Sequence, residues 1–136
     1  NKHRNRDEIK LIREYIDGGD SLHDDTGVHG GLQDGASFVI LGDLNADPVD
    51  GSSLGDPINT YLLESERIQS LVVPESEVEV EGLDPTDTSS FRLRVDYVLP
   101  SQYLTVLESG IWRYGIEDGL ASDHFPVWVD LIVPSP

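Results

Sequence analysis

A chain of 136 residues with 38% hydrophobic content can bury one core and does not have the composition of a disordered polymer, so one domain or one large subdomain is expected over 1–136. It contains no cysteine, which excludes a disulfide scaffold, a thiolate zinc site and a cysteine nucleophile. No apolar run approaches the roughly 20 residues that a membrane helix requires, so no membrane span is expected. The net charge of −17 suits a solvated surface in a saline or extracellular setting. It repels phosphate backbones, yet clustered carboxylates become tolerable around a divalent cation. There is no methionine, and Asn1 is not followed by a charged-then-apolar leader. A natural start, with any signal peptide, is therefore expected upstream.

In chain order, Asn5 to Asp17 reads as an amphipathic helix. Ile9, Ile12 and Ile16 recur at i, i+3 and i+7, Leu11 and Tyr15 widen the stripe, and Asn5 with Glu8 resembles a capping box. Gly18-Gly19 stops the helix, and the Gly-, Asp- and His-rich stretch from Asp20 to Gly35 is a loop. The continuous apolar run Phe38 to Leu41 predicts a strand buried on both faces. Asp56-Pro57 starts a short helix near Ile58 to Ser65. Pro74 to Ser90 is acidic and turn-rich and reads as a mobile excursion. Arg92 to Leu99 alternates, with Leu93, Val95, Tyr97 and Leu99 on one face, and Tyr103 to Leu107 is a plausible partner strand. The last strand, Pro126 to Val133, sets Val127, Val129, Leu131 and Val133 against Trp128 and Ile132. The pattern predicts an α/β fold with one largely antiparallel sheet and the Ile9 helix on one face.

Three short segments carry chemistry: Gly42-Asp43-Leu44-Asn45, Arg94-Val95-Asp96-Tyr97 and Ser122-Asp123-His124. The first follows the Phe38–Leu41 strand and the third precedes the Pro126–Val133 strand. If those strands are antiparallel in one sheet, Asp43, Asn45, Asp123 and His124 meet at one edge. Asp96, a carboxylate within an apolar strand, needs a partner, and a histidine is the obvious one. This set suits phosphoester hydrolysis. A carboxylate can take a proton from water, an amide can donate to a phosphate oxygen, and a carboxylate-held imidazole can stabilise developing charge. Oxygen ligands favour Mg²⁺, Mn²⁺ or Ca²⁺ over zinc.

Other readings compete at each position. Asp43 and Asn45 suit a turn, Asp123 a turn cap, His124 a solvated surface, and Asp96 an ion pair with Arg92 or Arg94. His23 and His29, with Asp24 and Asp25, look metal-like, although loop residues of this kind are more often solvated. Asp47 and Asp50 are better explained by turn chemistry, and Trp112 and Trp128 by core or interface packing. His3 carries no signal.

In order and type, the three segments resemble the GD-x-N, (I/V)-D-Y and S-D-H motifs of the endonuclease/exonuclease/phosphatase superfamily, whose fold is that of pancreatic deoxyribonuclease. The wider strings Phe38 to Pro48 and Arg94 to Ser101 look like a bacterial, often secreted, branch, and the resemblance runs from about Arg4 to Leu131. It implies the C-terminal half of a four-layer α/β sandwich with flanking helices, extracellular or periplasmic, lacking an N-terminal half that normally adds a metal-binding Glu and further catalytic groups. By the same resemblance, Asp43 would orient or deprotonate water and Asn45 would hydrogen-bond the phosphate. Asp96 would orient His124, which would stabilise the pentacovalent phosphorus, and Asp123, with Asp43 and Asn45, would hold Mg²⁺. The implied activity is a phosphodiesterase or nuclease acting on nucleic acid or a small phosphodiester. The alternatives are a phosphomonoesterase, a sphingomyelinase-like enzyme, or a catalytically inert assembly half. A sheet face left open by the absent half is expected to be exposed or covered in a homo-oligomer.

Overall fold

The computed structural model describes residues 1–114, 119 and 121–133, and its elements form an α/β arrangement. Helix α1 spans Lys2–Ile16, so it starts earlier than the capping pattern suggests. Asn5 lies inside it and donates its side-chain N–H to the Asn45 carbonyl at 3.1 Å, tying the helix to the loop of the first motif. Ile9 and Ile16 are buried. Leu11 and Tyr15 face solvent instead, because residues two or six positions from Ile9 lie off its side of the helix. Along the solvent side, Arg4–Glu8, Lys10–Glu14 and Arg13–Asp17 pair at i, i+4.

Strand β1 (Val39–Asp43) pairs antiparallel with β2 (Asp96–Pro100), in a register that sets Ile40 opposite Leu99 and Asp43 opposite Asp96. Tyr97 and Leu99 turn inward with Ile40 and join Ile9, Ile16, Ile58, Leu62 and Ile68 in the core. Ile58 and Leu62 come from a one-turn π-helical segment, Asn59–Leu63, and the residue just before it. The expectation of a strand buried on both faces is corrected. Leu41 is 68% exposed and Val39 36%, because α1 and the π-helical segment back only the Ile40 side. A run of apolar residues records what the strand can bury, and the covering layer decides what it does bury.

Strand β3 (Thr105–Ile111) pairs antiparallel with β4 (Val127–Ile132), with an irregularity between Val106 and Glu108. Alternation along β4 is as expected, with Val127, Val129 and Leu131 half-buried and Trp128 and Ile132 turned out. The expected single sheet is corrected to two two-stranded sheets among the described residues. Strand β4 lies beside β2 without a ladder between them. The acidic stretch expected to be a mobile excursion returns into the structure: Asp87, Thr88 and Ser89 are buried, and Ser89 forms an isolated bridge with His124. Arg113, itself buried, donates to the carbonyls of Asp84, Pro85 and Asp87 and so holds that return in place.

Candidate active site

The antiparallel register of β1 and β2 makes Asp43 and Asp96 direct neighbours at one end of the ribbon. His124 reaches them from the lead-in to β4. Its Nδ1 is 2.8 Å from Asp96 Oδ2, and one ligand atom each from Asp43, Asp96 and His124 lie within 4.8 Å of one another. Asp96 and His124 are half-buried, whereas Asp43 is exposed. Together they line an open groove of about 410 Å³ whose walls include Leu41, Val98, Phe125 and Val127.

Local bonds hold each group. Asp43 Oδ1 accepts the Asn45 N–H at 2.8 Å, an Asx turn that also sets Asn45 at φ 48, a left-handed conformation that Asn tolerates well. The Tyr97 hydroxyl lies 2.7 Å from the Ala46 carbonyl and 2.9 Å from that of Arg94, so β2 grips the loop after β1. Burial pushes the Tyr97 phenol upward, keeping it neutral. Asp47 accepts N–H groups from Val49, Asp50 and Arg94, which makes it a structural staple and accords with turn chemistry. The Ser122 hydroxyl accepts the His124 backbone N–H at 3.1 Å, and the Phe91 ring meets the imidazole edge-on at 5.4 Å.

The His124 pKa is raised, first by its hydrogen bond to Asp96 and then by the charges of Asp96, Asp43 and Asp123; desolvation opposes this. The groove thus favours imidazolium. Asn45 and Asp123 stand differently from the other three predicted groups. Asn45 borders a separate depression with Lys2 and Asn5, and Asp123 is exposed and outside the groove lining. The His23–His29 loop is a small hairpin. Asp24 Oδ1 accepts from Thr26 and Val28, and the two imidazoles pack at 5.6 Å. Among the described residues, the group able to hold a metal ion is Asp43, Asp96 and His124.

A family model described as endonuclease/exonuclease/phosphatase family matches residues 6–124, which include all three motif segments. The chain belongs to that family. No curated protein and no solved structure matches it. For an endonuclease/exonuclease/phosphatase family member, the two carboxylates are chemically apt, since carboxylate oxygens suit a divalent cation supplemented by other oxygens, whereas the imidazole of His124 is engaged by Asp96. The grip of Tyr97 and the hydroxyl of Ser122 are not among the groups expected from the motifs. The second had a readable signal, a serine two residues before a motif histidine. The first had none, since a buried tyrosine reads as core until its hydroxyl partners are known.

Proposed function

We propose that this chain carries part of the active site of a divalent-metal-dependent phosphoesterase, most consistent with phosphodiester or nuclease chemistry. The observation that carries this reading is the meeting of Asp43, Asp96 and His124 in one groove, with the imidazole bonded to Asp96 at 2.8 Å. Asp96 holds Nδ1 and leaves Nε2 to donate to a phosphoryl oxygen as negative charge develops. Asp43, fixed by the Asn45 turn, is the group to orient and deprotonate water. Asn45 would donate to the phosphate and Asp123 would add a carboxylate once the remaining ligands are in place. When bound by Asp43, Asp123 and neighbouring groups, Mg²⁺ (or Mn²⁺ or Ca²⁺) would neutralise phosphate charge and lower the pKa of water.

In the same proposal this chain is the C-terminal half of a four-layer sandwich, from a secreted bacterial protein, and other residues complete the site. Support comes from the open face of β1, where Leu41 is exposed next to Asp43. The proposal predicts weak binding of Mg²⁺ by this chain alone, around the millimolar level of loose oxygen sites, which calorimetry checks. It also predicts that this chain hydrolyses phosphoesters very poorly until the complementary half is added. The decisive assay measures bis-p-nitrophenyl phosphate and plasmid DNA with Mg²⁺ or Mn²⁺, with and without that half, and with His124→Ala and Asp43→Ala. Hydrolysis only by the completed protein, lost in both variants, is the expected result. Inactivity of the completed protein on every phosphoester, or full rate in both variants, overturns the reading. Activity on the small diester without activity on DNA would assign a small phosphodiester as substrate, which the strongly acidic surface favours.

A further inference from the structure

Strands β2 and β4, which bring Asp96 and His124 together, share no ladder, so something else must set their spacing. The segment Thr88–Ser90 bridges the start of β2 and the lead-in to β4. Its main chain binds the lead-in to β4 on both sides of His124. The Phe125 N–H donates to the Thr88 carbonyl at 2.7 Å, and the Ser90 N–H donates to the Asp123 carbonyl at 2.8 Å. On the other side, the Thr88 hydroxyl oxygen accepts the N–H of Val95 at 2.9 Å and that of Asp96 at 3.0 Å. Thr88 is 1% exposed, so no water substitutes for this acceptor. A hydroxyl oxygen has two acceptor sites, and both are used here. The Thr88 N–H donates to the Leu93 carbonyl at 3.0 Å, and Ser89, fully buried, bonds the same carbonyl through its hydroxyl at 2.8 Å. Arg113 anchors the stretch just before it through the carbonyls of Asp84, Pro85 and Asp87.

We propose that Thr88 is a positioning residue for the Asp96–His124 pair, its hydroxyl fixing the backbone of Asp96 while its carbonyl fixes that of Phe125. The proposal rests on the functional reading above only for its effect on rate. Its geometric content is that one residue, through its hydroxyl on one side and its main-chain carbonyl on the other, joins the scaffold of the acid to the scaffold of the imidazole. Valine matches threonine in shape and cannot accept a hydrogen bond, so it leaves both N–H groups without a partner. Serine keeps the acceptor and loses only a methyl group.

The test uses NMR of the 136-residue chain and the hydrolysis assay of the completed protein, for wild type, Thr88→Val, Thr88→Ala and Thr88→Ser. In wild type, the Val95 and Asp96 amides should exchange slowly and His124 should show a downfield Nδ1–H resonance from its bond to Asp96. Thr88→Val and Thr88→Ala should lose that resonance and lower kcat about 100-fold at little-changed KM, as expected for a misplacement of order 1 Å. Thr88→Ser should restore the resonance and most of the rate. Fast exchange at Val95 and Asp96 in wild type overturns the proposal without any variant, even if the variants fail to fold. Retention of the resonance and rate in Thr88→Val, or a loss in Thr88→Ser equal to that in Thr88→Val, also overturns it. If the resonance behaves as expected and no phosphoester is cleaved, the positioning role stands and the phosphoesterase reading falls.

Discussion

The two ribbons of this chain are built alike and supported differently. Strands β1 and β2 rest on a core of Ile9, Ile16, Leu62 and Leu99 and present their motif carboxylates at one end in direct register. Among the described residues, strands β3 and β4 contribute none to that core, and they leave Leu107, Trp128 and Ile132 exposed. The first ribbon is therefore the platform, and the second delivers His124 to it from its edge. The contrast teaches that a hydrogen-bonded acid–imidazole pair can be divided between a well-supported element and a lightly supported one. The joint then carries the precision, and here it includes the Asp96–His124 hydrogen bond.

The sharpest test of this division removes the group that crosses the joint. His124→Ala in the protein completed as proposed is expected to lower the hydrolysis rate about 100- to 1,000-fold, the range of a lost charge-stabilising donor, while His23→Ala in the remote hairpin leaves it unchanged. Equal effects of the two substitutions would dissolve the distinction. The next test strikes the platform. Leu62 is fully buried, and Leu62→Ala should cost about 2–5 kcal/mol by transfer and cavity terms, read from urea unfolding of this chain.

A pH titration follows the joint itself. Asp96 raises the His124 pKa in the folded chain, so imidazolium formation stabilises the fold. That contribution is fully present below the pKa of an unfolded histidine and is lost as pH rises through the raised folded value. Asp96→Asn should lower the His124 midpoint, measured by NMR, and flatten this part of the stability profile. An unchanged midpoint would give Asp96 another task. The smallest effect is predicted on the second ribbon, where Ile132 is 50% exposed. Ile132→Ala should change stability by no more than about 0.5 kcal/mol. A loss as large as that of Leu62→Ala would show that the outer face of β4 is covered in solution.

Several parts of this architecture were legible in the residues before any coordinates. The spacing of Ile9, Ile12 and Ile16 located the helix, and the alternation through Tyr97 and Leu99 located the buried face of β2, because these periodicities follow from backbone geometry alone. The three motif segments pointed to one site for a similar reason. Asp, Asn and His at strand ends are residues that packing does not demand, and a family model spans all of them. The pairing of Asp96 with His124 followed from the cost of a lone carboxylate within a strand.

What the residues by themselves determined, then, was local: element type, inward face and the chemical identity of the groups at the site. Tertiary structure decided which faces are covered, and so exposed Leu41 and Leu11 where pattern alone predicted burial. It also decided that the ribbons do not merge into one sheet, and that residues 88–90 take backbone partners on both sides of His124. Finally, it decided that Asp43, Asp96 and His124 share the groove while Asn45 and Asp123 stand outside its lining. Periodicity is a property of one segment's backbone, whereas burial and convergence depend on partners 50 or more residues away, such as the Ala46 carbonyl on Tyr97. Such partners become visible only when the chain is folded.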